Sequence, residues 1–543
     1  MAKQKVCQRY VYKIHSSLLR NSNWDLNFTL DEAIRQHIIS LGDSQALRFI
    51  DEITESPDSD KKAKEIREQI IEAKRLKPNK KNKELIKNLY EQLYTVRLCE
   101  HYMSLIIDSN KDYDRACKGF TINGITYRRL LGTTNGVKKS TIVFVNEEIY
   151  EPLKERLDAG RDKSVPMVPA KLEAYQALIC SGSIPVSMPR GIIIVPDCFT
   201  KFKYPVIRVD NSESEEPKCE YIEDYDIELD ASDGFGFMLP SISRRWSNEL
   251  DCGDDYLSGV NTRGLPWTKG MLFTFDFIEF AEKVAGTYMV TDVWGDVRDV
   301  RDAEVILTES MMKLCNSYKS WEEYYENIKK YNYSFAIAKT APHELDEVRA
   351  TNYQFLQSYK LNDEQIHELI DPYLDELEDS LGLDYRKSLL LLRGSNITEE
   401  SIIKSPNDFT KALMIEPELI NDPYVRNSLY SMLKKKINDA KLGVINIHAN
   451  FAILGGDLYS LAQSMFGLEV TGLLKANECY HKFWLDRNVE EIAVFRAPMT
   501  SHSNIQKMKV VVNDEIAHWY QYVPTCMFIN SWDTTMSALN GCD

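Results

Sequence analysis

No Cys-x-x-Cys pair, no His-Glu-x-x-His and no close pair of histidines occurs in these 543 residues. Zinc sites are built on such spacings, so their absence argues against a structural or catalytic zinc. The eleven cysteines (Cys7, Cys99, Cys117, Cys180, Cys198, Cys219, Cys252, Cys315, Cys479, Cys526 and Cys542) are scattered. In a large chain this reads as reduced, mostly buried thiols and not as a disulfide framework. No run approaches the roughly 20 apolar residues that cross a bilayer. The start, MAKQKVCQRY, has basic residues with no apolar stretch behind them, which argues against a secretory signal. Together these absences lead us to expect a cytoplasmic protein with no membrane partner.

Positive charge is also in short supply. Lys and Arg number 66 against 82 Asp and Glu, a net charge of −16. That excludes a uniformly basic nucleic-acid binder. A positively lined channel on an acidic body needs only local potential, so charge alone does not separate it from an acidic enzyme with no nucleic-acid partner.

What is present is material for several cores, with 43% hydrophobic and 10% aromatic residues. The length calls for three or four packed units. Residues 25 to about 110 carry apolar residues at helical spacing: Ile66, Ile70 and Ile71, then Leu85, Ile86, Leu89 and Leu93. Pro78 interrupts them, giving a helical hairpin with a basic tip, either a solvated turn or a phosphate grip. From 116 to about 210 short β-branched runs (140–145 and 191–196) alternate with helical segments. The acidic stretch from Asp210 to Asp230 reads as an exposed boundary or hairpin. In Lys269 to Phe277, period-two alternation places Met271, Phe273, Phe275 and Phe277 on one face of a strand. Residues 318 to about 440 are again helical, and the last hundred return to strands. Two β-rich units flank a helical insert.

Three segments set a charged residue beside glycine or proline in a strand context. They are Ser232-Asp233-Gly234 through Arg244-Arg245, leading into Trp267-Thr268-Lys269-Gly270-Met271; Phe495-Arg496-Ala497-Pro498; and Asn540-Gly541-Cys542-Asp543. Each alone also fits an ordinary turn, a solvated lysine or a strand end.

In this order the segments resemble the two-barrel RNA polymerases, which include phage and prophage single-chain enzymes and the eukaryotic RNA-silencing, RNA-dependent polymerases. Lys269-Gly270-Met271-Leu272 matches the Lys-Gly pattern of that superfamily's first barrel. Phe495-Arg496-Ala497-Pro498 matches the second barrel's Arg-x-Pro element. Asn540-Gly541-Cys542-Asp543 matches the approach to its Asp-x-Asp-Gly-Asp motif. Likeness to the phage group extends to Arg128-Arg129-Leu130-Leu131-Gly132 and to Ala449 through Tyr459. Gly455-Gly456-Asp457 imitates the triad with one carboxylate and reads as a structural turn. The sequence stops at the first aspartate of the motif, for which a truncated gene or partial sequence is the expected reason, or else a split polymerase completed by another chain.

The resemblance implies an α+β multidomain fold with two double-psi β-barrels, the second incomplete, separated by a helical insert and preceded by an N-terminal helical region. The units expected are 1–115 helical, 116–210 a small α/β unit, 211–315 the first barrel, 316–440 the helical insert and 441–543 the second barrel. The implied activity is nucleotidyl transfer from NTPs to an RNA 3′ end on a DNA or RNA template, DNA-directed or RNA-directed. Transcription of phage type, in the bacterial host cytoplasm, is the expected form. A catalytically inactive nucleic-acid-binding relative, or one piece of a split enzyme, is the alternative.

Such chemistry uses two Mg²⁺ ions roughly 3.5–4 Å apart on hard oxygen ligands, which clustered aspartates supply. Asp543 would be one ligand and cannot hold the pair alone. Lys269 would neutralise phosphate charge as a point charge. Arg496 would read the ribose hydroxyls, or cap the barrel by bonding backbone carbonyls. Lys475 is a fainter phosphate candidate, or a solvated lysine, and Arg244 and Arg245 would line the nucleic-acid path.

Overall fold

The computed structural model describes residues 9–54, 59–76, 79–137, 139–210, 212, 216–253, 255–381, 384–393 and 408–539. It is a mixed α+β chain of several sheets and helical units. Among the described residues no helix is long and apolar enough to cross a membrane. Their nine cysteines are all free; four are buried and two exposed.

The described residues between 9 and 146 fold around a seven-stranded sheet, in the order Asp25–Leu26, Phe120–Ile122, Ile125–Leu131, Thr141–Asn146, Leu98–Ile106, Arg9–His15 and Ile39–Gly42. The expectation of a helical region over 1–115 is therefore corrected. The helical periodicity belongs to one hairpin, Ser59–Arg75 against Lys80–Arg97, closed by Ile66, Ile70, Leu89 and Leu93. The strands on either side of it lack a clean alternation of buried and exposed residues, Val11 and Tyr12 of Arg9–His15 both being buried, and the stronger 3.6-residue signal obscured them. The basic tip at Lys77-Pro78 lies outside the described residues.

The second sheet also has seven strands: Ile184–Pro185, Ala336–Thr340, Gly259–Arg263, Gly270–Thr274, Phe235–Met238, Val305–Thr308 and Ile192–Val195. It draws on segments either side of 211–315, so the 116–210 unit and the helical insert each lose a strand or more to it. Phe235–Met238 and Gly270–Thr274 run parallel, with Phe235 opposite Met271, while Gly259–Arg263 is antiparallel to the latter. Gly270–Thr274 is buried at every position. A central strand covered on both faces needs no alternation, and Phe277 begins a helix, Phe277–Phe280. The expected single apolar face is thus replaced by a strand that is apolar on both.

The acidic segment forms the second arm of a two-stranded ribbon, Phe199–Asp210 with Lys218–Asp230. The helical insert proper runs through Asp363–Leu381, Tyr385–Arg393, Asp408–Ile415 and Pro423–Lys441. Its own core is formed by Tyr373, Leu377, Leu413, Leu429 and Leu433. The third large sheet has five strands: Ile453–Gly456, Cys526–Ile529, Glu478–Tyr480, Ile505–Val510 and Glu491–Phe495.

Candidate functional site

The second and third large sheets pack directly on one another. Phe273 meets Phe528 at 5.0 Å between ring centroids, and Phe275 stacks on Trp519 at 5.6 Å. Gly455 and Gly456 allow the closest approach. A Cβ on Gly456 would lie 2.2 Å from the Ala231 carbonyl oxygen, and one on Gly455 2.7 Å from the Phe273 ring. Polar links join the same faces: Thr200 Oγ1 donates to the Ser531 carbonyl at 2.7 Å, and Thr525 Oγ1 to Ser258 Oγ at 3.1 Å. Burying this much aromatic surface contributes on the order of 2 kcal/mol per ring.

Lys269 sits at the start of Gly270–Thr274, half-buried. Its N–H donates to the Met311 carbonyl at 3.0 Å, and that of Met271 to the Gly234 carbonyl at 2.8 Å. A Cβ on Gly270 would come within 2.4 Å of that Gly234 oxygen, so only glycine lets the strand enter here. Two residues earlier Trp267, fully buried, adopts φ +60. A left-handed conformation costs a bulky L-residue about 1–2 kcal/mol and persists only where its surroundings fix it. Here the indole N–H donates to the Tyr318 hydroxyl at 2.7 Å, and that hydroxyl donates to the Ala159 carbonyl at 2.8 Å. Trp267 was no sequence candidate, since no residue pattern announces a positive φ at tryptophan.

Asp230 and Asp233 flank Ser232 in the turn that leads to Gly234, and Asp197, which follows the strand Ile192–Val195, bonds to the same serine. Asp197 and Asp230 share the Ser232 hydroxyl, at 3.3 and 3.2 Å. Burial, reinforced by the charge of Asp197, lifts the Asp230 carboxyl to about 7, with Asp233 adding to the shift. Burial raises Asp197 as well, against its hydrogen bonds from Ser310 and Ser232. The sequence flagged only Asp233, because the other two become neighbours through the ribbon that separates them in the chain.

Arg496 ends the strand Glu491–Phe495, and its Nη1 donates to the Leu539 carbonyl at 3.1 Å. Asn504 donates to the Ala538 carbonyl at 2.8 Å, so both side chains hold the end of the helix Thr535–Ala538. Met536 of that helix approaches Gly456, as does Phe235, the residue next to Gly234. The Lys269 strand and the segment gripped by Arg496 therefore meet through one layer of contacts. Lys475 is exposed in a turn where Asn477 N donates to Asp533 Oδ2 at 2.7 Å, which places it beside the same C-terminal segment. Asp543 lies outside the described residues.

Arg244 and Arg245 do not join this group. They lie on the helix Pro240–Glu249, which follows the far end of Phe235–Met238, whereas Lys269 adjoins its start. Arg245 is paired with Glu304 at 2.9 Å, and Arg244 covers the Tyr256 ring at 4.5 Å. Gly455 and Gly456 are not the turn expected: they end the strand Ile453–Gly456, paired with Phe528 and Ile529, and Asp457 caps the helix Leu458–Met465. Asp457, fully buried, accepts from the Tyr459, Ser460, Leu473 and Leu474 N–H groups and from the Tyr520 hydroxyl. Among the described residues no three His, Cys, Asp or Glu side chains are placed to hold a metal ion. The described side chains thus do not make a Mg²⁺ site by themselves.

No family model matches the sequence. The chain is 28% identical over 378 residues to the DNA-directed RNA polymerase YonO of Bacillus phage SPbeta, a match covering 67% of this chain. The match takes in 42% of that protein, so this chain spans about two fifths of its relative's length.

Proposed function

We propose that this chain is the core of a nucleic-acid-templated RNA polymerase of the two-barrel type, with DNA as template. The first barrel is built on the seven-stranded sheet that contains Lys269, the second on the five-stranded sheet that leads to Arg496 and Asp543. The observation that carries the reading is the meeting of those two sheets, with Lys269 on one side and the segment held by Arg496 on the other. The likeness to a phage DNA-directed RNA polymerase favours DNA over RNA.

In this reading Lys269 draws the triphosphate into place. Its backbone is fixed by the bonds from Lys269 N–H to the Met311 carbonyl and from Met271 N–H to the Gly234 carbonyl, and its ammonium meets the phosphate as a point charge. Arg496 stands by the ribose of the incoming nucleotide while holding the Leu539 carbonyl. Mg²⁺ would be held by Asp543 with further oxygen ligands and would neutralise developing phosphate charge. Arg244 and Arg245 stay at the far end of the strand as candidates for the nucleic-acid path, Arg244 the more available of the two.

The test is ribonucleotide incorporation by the native full-length protein on single-stranded DNA and on RNA templates. DNA-directed synthesis is expected. Lys269→Ala should weaken use of every NTP by about 10-fold or more, the value of one charge-assisted phosphate contact. Arg496→Ala should lower the preference for ribo- over deoxyribonucleotides. Failure of the unaltered protein on both templates would end the reading.

A further inference from the structure

We propose that Asp197 is a positioning residue for Lys269, setting the height and direction from which the lysine meets a triphosphate. The inference rests on the reading of Lys269 as a phosphate contact, and it adds a residue that lies outside every motif of the sequence.

Asp197 follows the edge strand Ile192–Val195, some seventy residues before Lys269. Its carboxylate accepts three bonds: from Ser310 N at 2.9 Å, from Ser310 Oγ at 2.7 Å and from Ser232 Oγ at 3.3 Å. Ser310 Oγ in turn accepts from Gly234 N at 2.9 Å. One carboxylate therefore ties the short turn Glu309–Met311 to the turn 232–234. Those two turns are the supports of the lysine. Lys269 N donates to Met311, Met271 N donates to Gly234, and Gly270 is pressed between the Gly234 carbonyl and the Met311 side chain. Trp267, two residues upstream, holds a left-handed backbone and leaves the chain no slack to take up a shift.

The donor that depends on Asp197 is the Ser310 N–H, which reaches Oδ2, while the two serine hydroxyls on Oδ1 can donate or accept. An asparagine can therefore keep its oxygen on the N–H and turn its NH₂ to the hydroxyls, whereas an alanine removes the acceptor altogether. With alanine the turn Glu309–Met311 loses its bonds to this node, Met311 moves, and Lys269 moves with it. A lysine displaced by a few tenths of an ångström still folds into its strand yet grips phosphate less well.

The experiment is equilibrium binding of ATP and of adenosine to the full chain carrying Asp197→Ala, Lys269→Ala or both. Ser310→Ala is a second variant that severs the Gly234 link while keeping the carboxylate. Asp197→Ala is expected to weaken ATP about 5- to 10-fold and to leave adenosine unchanged, and to add nothing in the Lys269→Ala background. Ser310→Ala should act in the same direction. Equal weakening of ATP and adenosine, no weakening at all, or an effect that persists without Lys269 would each overturn the proposal. Should Asp197→Ala not fold, the same criteria applied to Ser310→Ala decide it. If Lys269→Ala itself leaves ATP affinity unchanged, the reading of Lys269 fails first, and that outcome is distinct from the others.

Discussion

At the scale of single residues, two carboxylates with different surroundings make separate predictions. Asp457 is fully buried and receives five donors, three on Oδ1 and two on Oδ2. An asparagine there must turn its NH₂ toward N–H or O–H donors on one side. Asp457→Asn should therefore cost about 3 kcal/mol in chemical denaturation. Burial raises the Asp457 carboxyl against those donors; Asp230 has fewer donors, and burial and its neighbour Asp197 lift it to about 7. The native state keeps a proton that the unfolded chain releases near pH 4. Its contribution is thus complete below about pH 4 and is lost as pH rises toward 7. Asp230→Asn should raise the melting temperature at pH 8 more than at pH 5. An equal shift at both would contradict the assignment. His481, pushed down to about 4 by burial, acts in the opposite sense, losing stability as pH falls below about 6.5, so the comparison is made against Asp230→Asn alone. The strand that follows Lys269 was legible in sequence because Lys-Gly before an apolar run is a local pattern. Asp197, Asp230 and Trp267 were not, because what distinguishes them is a fold-made neighbourhood or a backbone angle.

At the scale of elements, legibility followed period and length. The Ser59–Arg75 and Lys80–Arg97 hairpin and the helices from Asp363 to Lys441 carry strong 3.6-residue patterns and appear where expected. The strands of the first sheet do not, since several are only two to four residues long and a short alternation is weak evidence. The acidic segment 210–230 could be read as linker or hairpin, and its pairing settles the point: Ile207 opposite Tyr221 and Val209 opposite Cys219 continue a ladder from Phe199. Gly456 connects this scale to the next. A methyl group there meets backbone, the Ala231 carbonyl, at 2.2 Å, and backbone cannot swing aside. Gly456→Ala should destabilise the chain by about 3 kcal/mol. It should also open the 231–235 segment to limited proteolysis before the helical insert is cut, whereas uniform cleavage would argue that the two sheets are not held together at this point.

For the whole molecule, the ordering of β-rich, helical and β-rich units was legible, and the partition of strands was not. Ile184–Pro185, Ile192–Val195 and Ala336–Thr340 join a sheet whose centre lies far from them in sequence. Short apolar runs carry no information about which partner they pair with. The packing of that sheet on the five-stranded one, through Phe273, Phe528, Gly455 and Gly456, gives two distant motifs a common neighbourhood and underlies the functional reading. The most direct test is ATP affinity of the full chain with Lys269→Ala, Arg496→Ala and both, compared as a double-mutant cycle. A single nucleotide held between the sheets predicts that each substitution weakens binding and that the two are coupled. Two independent, additive effects, or none, would contradict it.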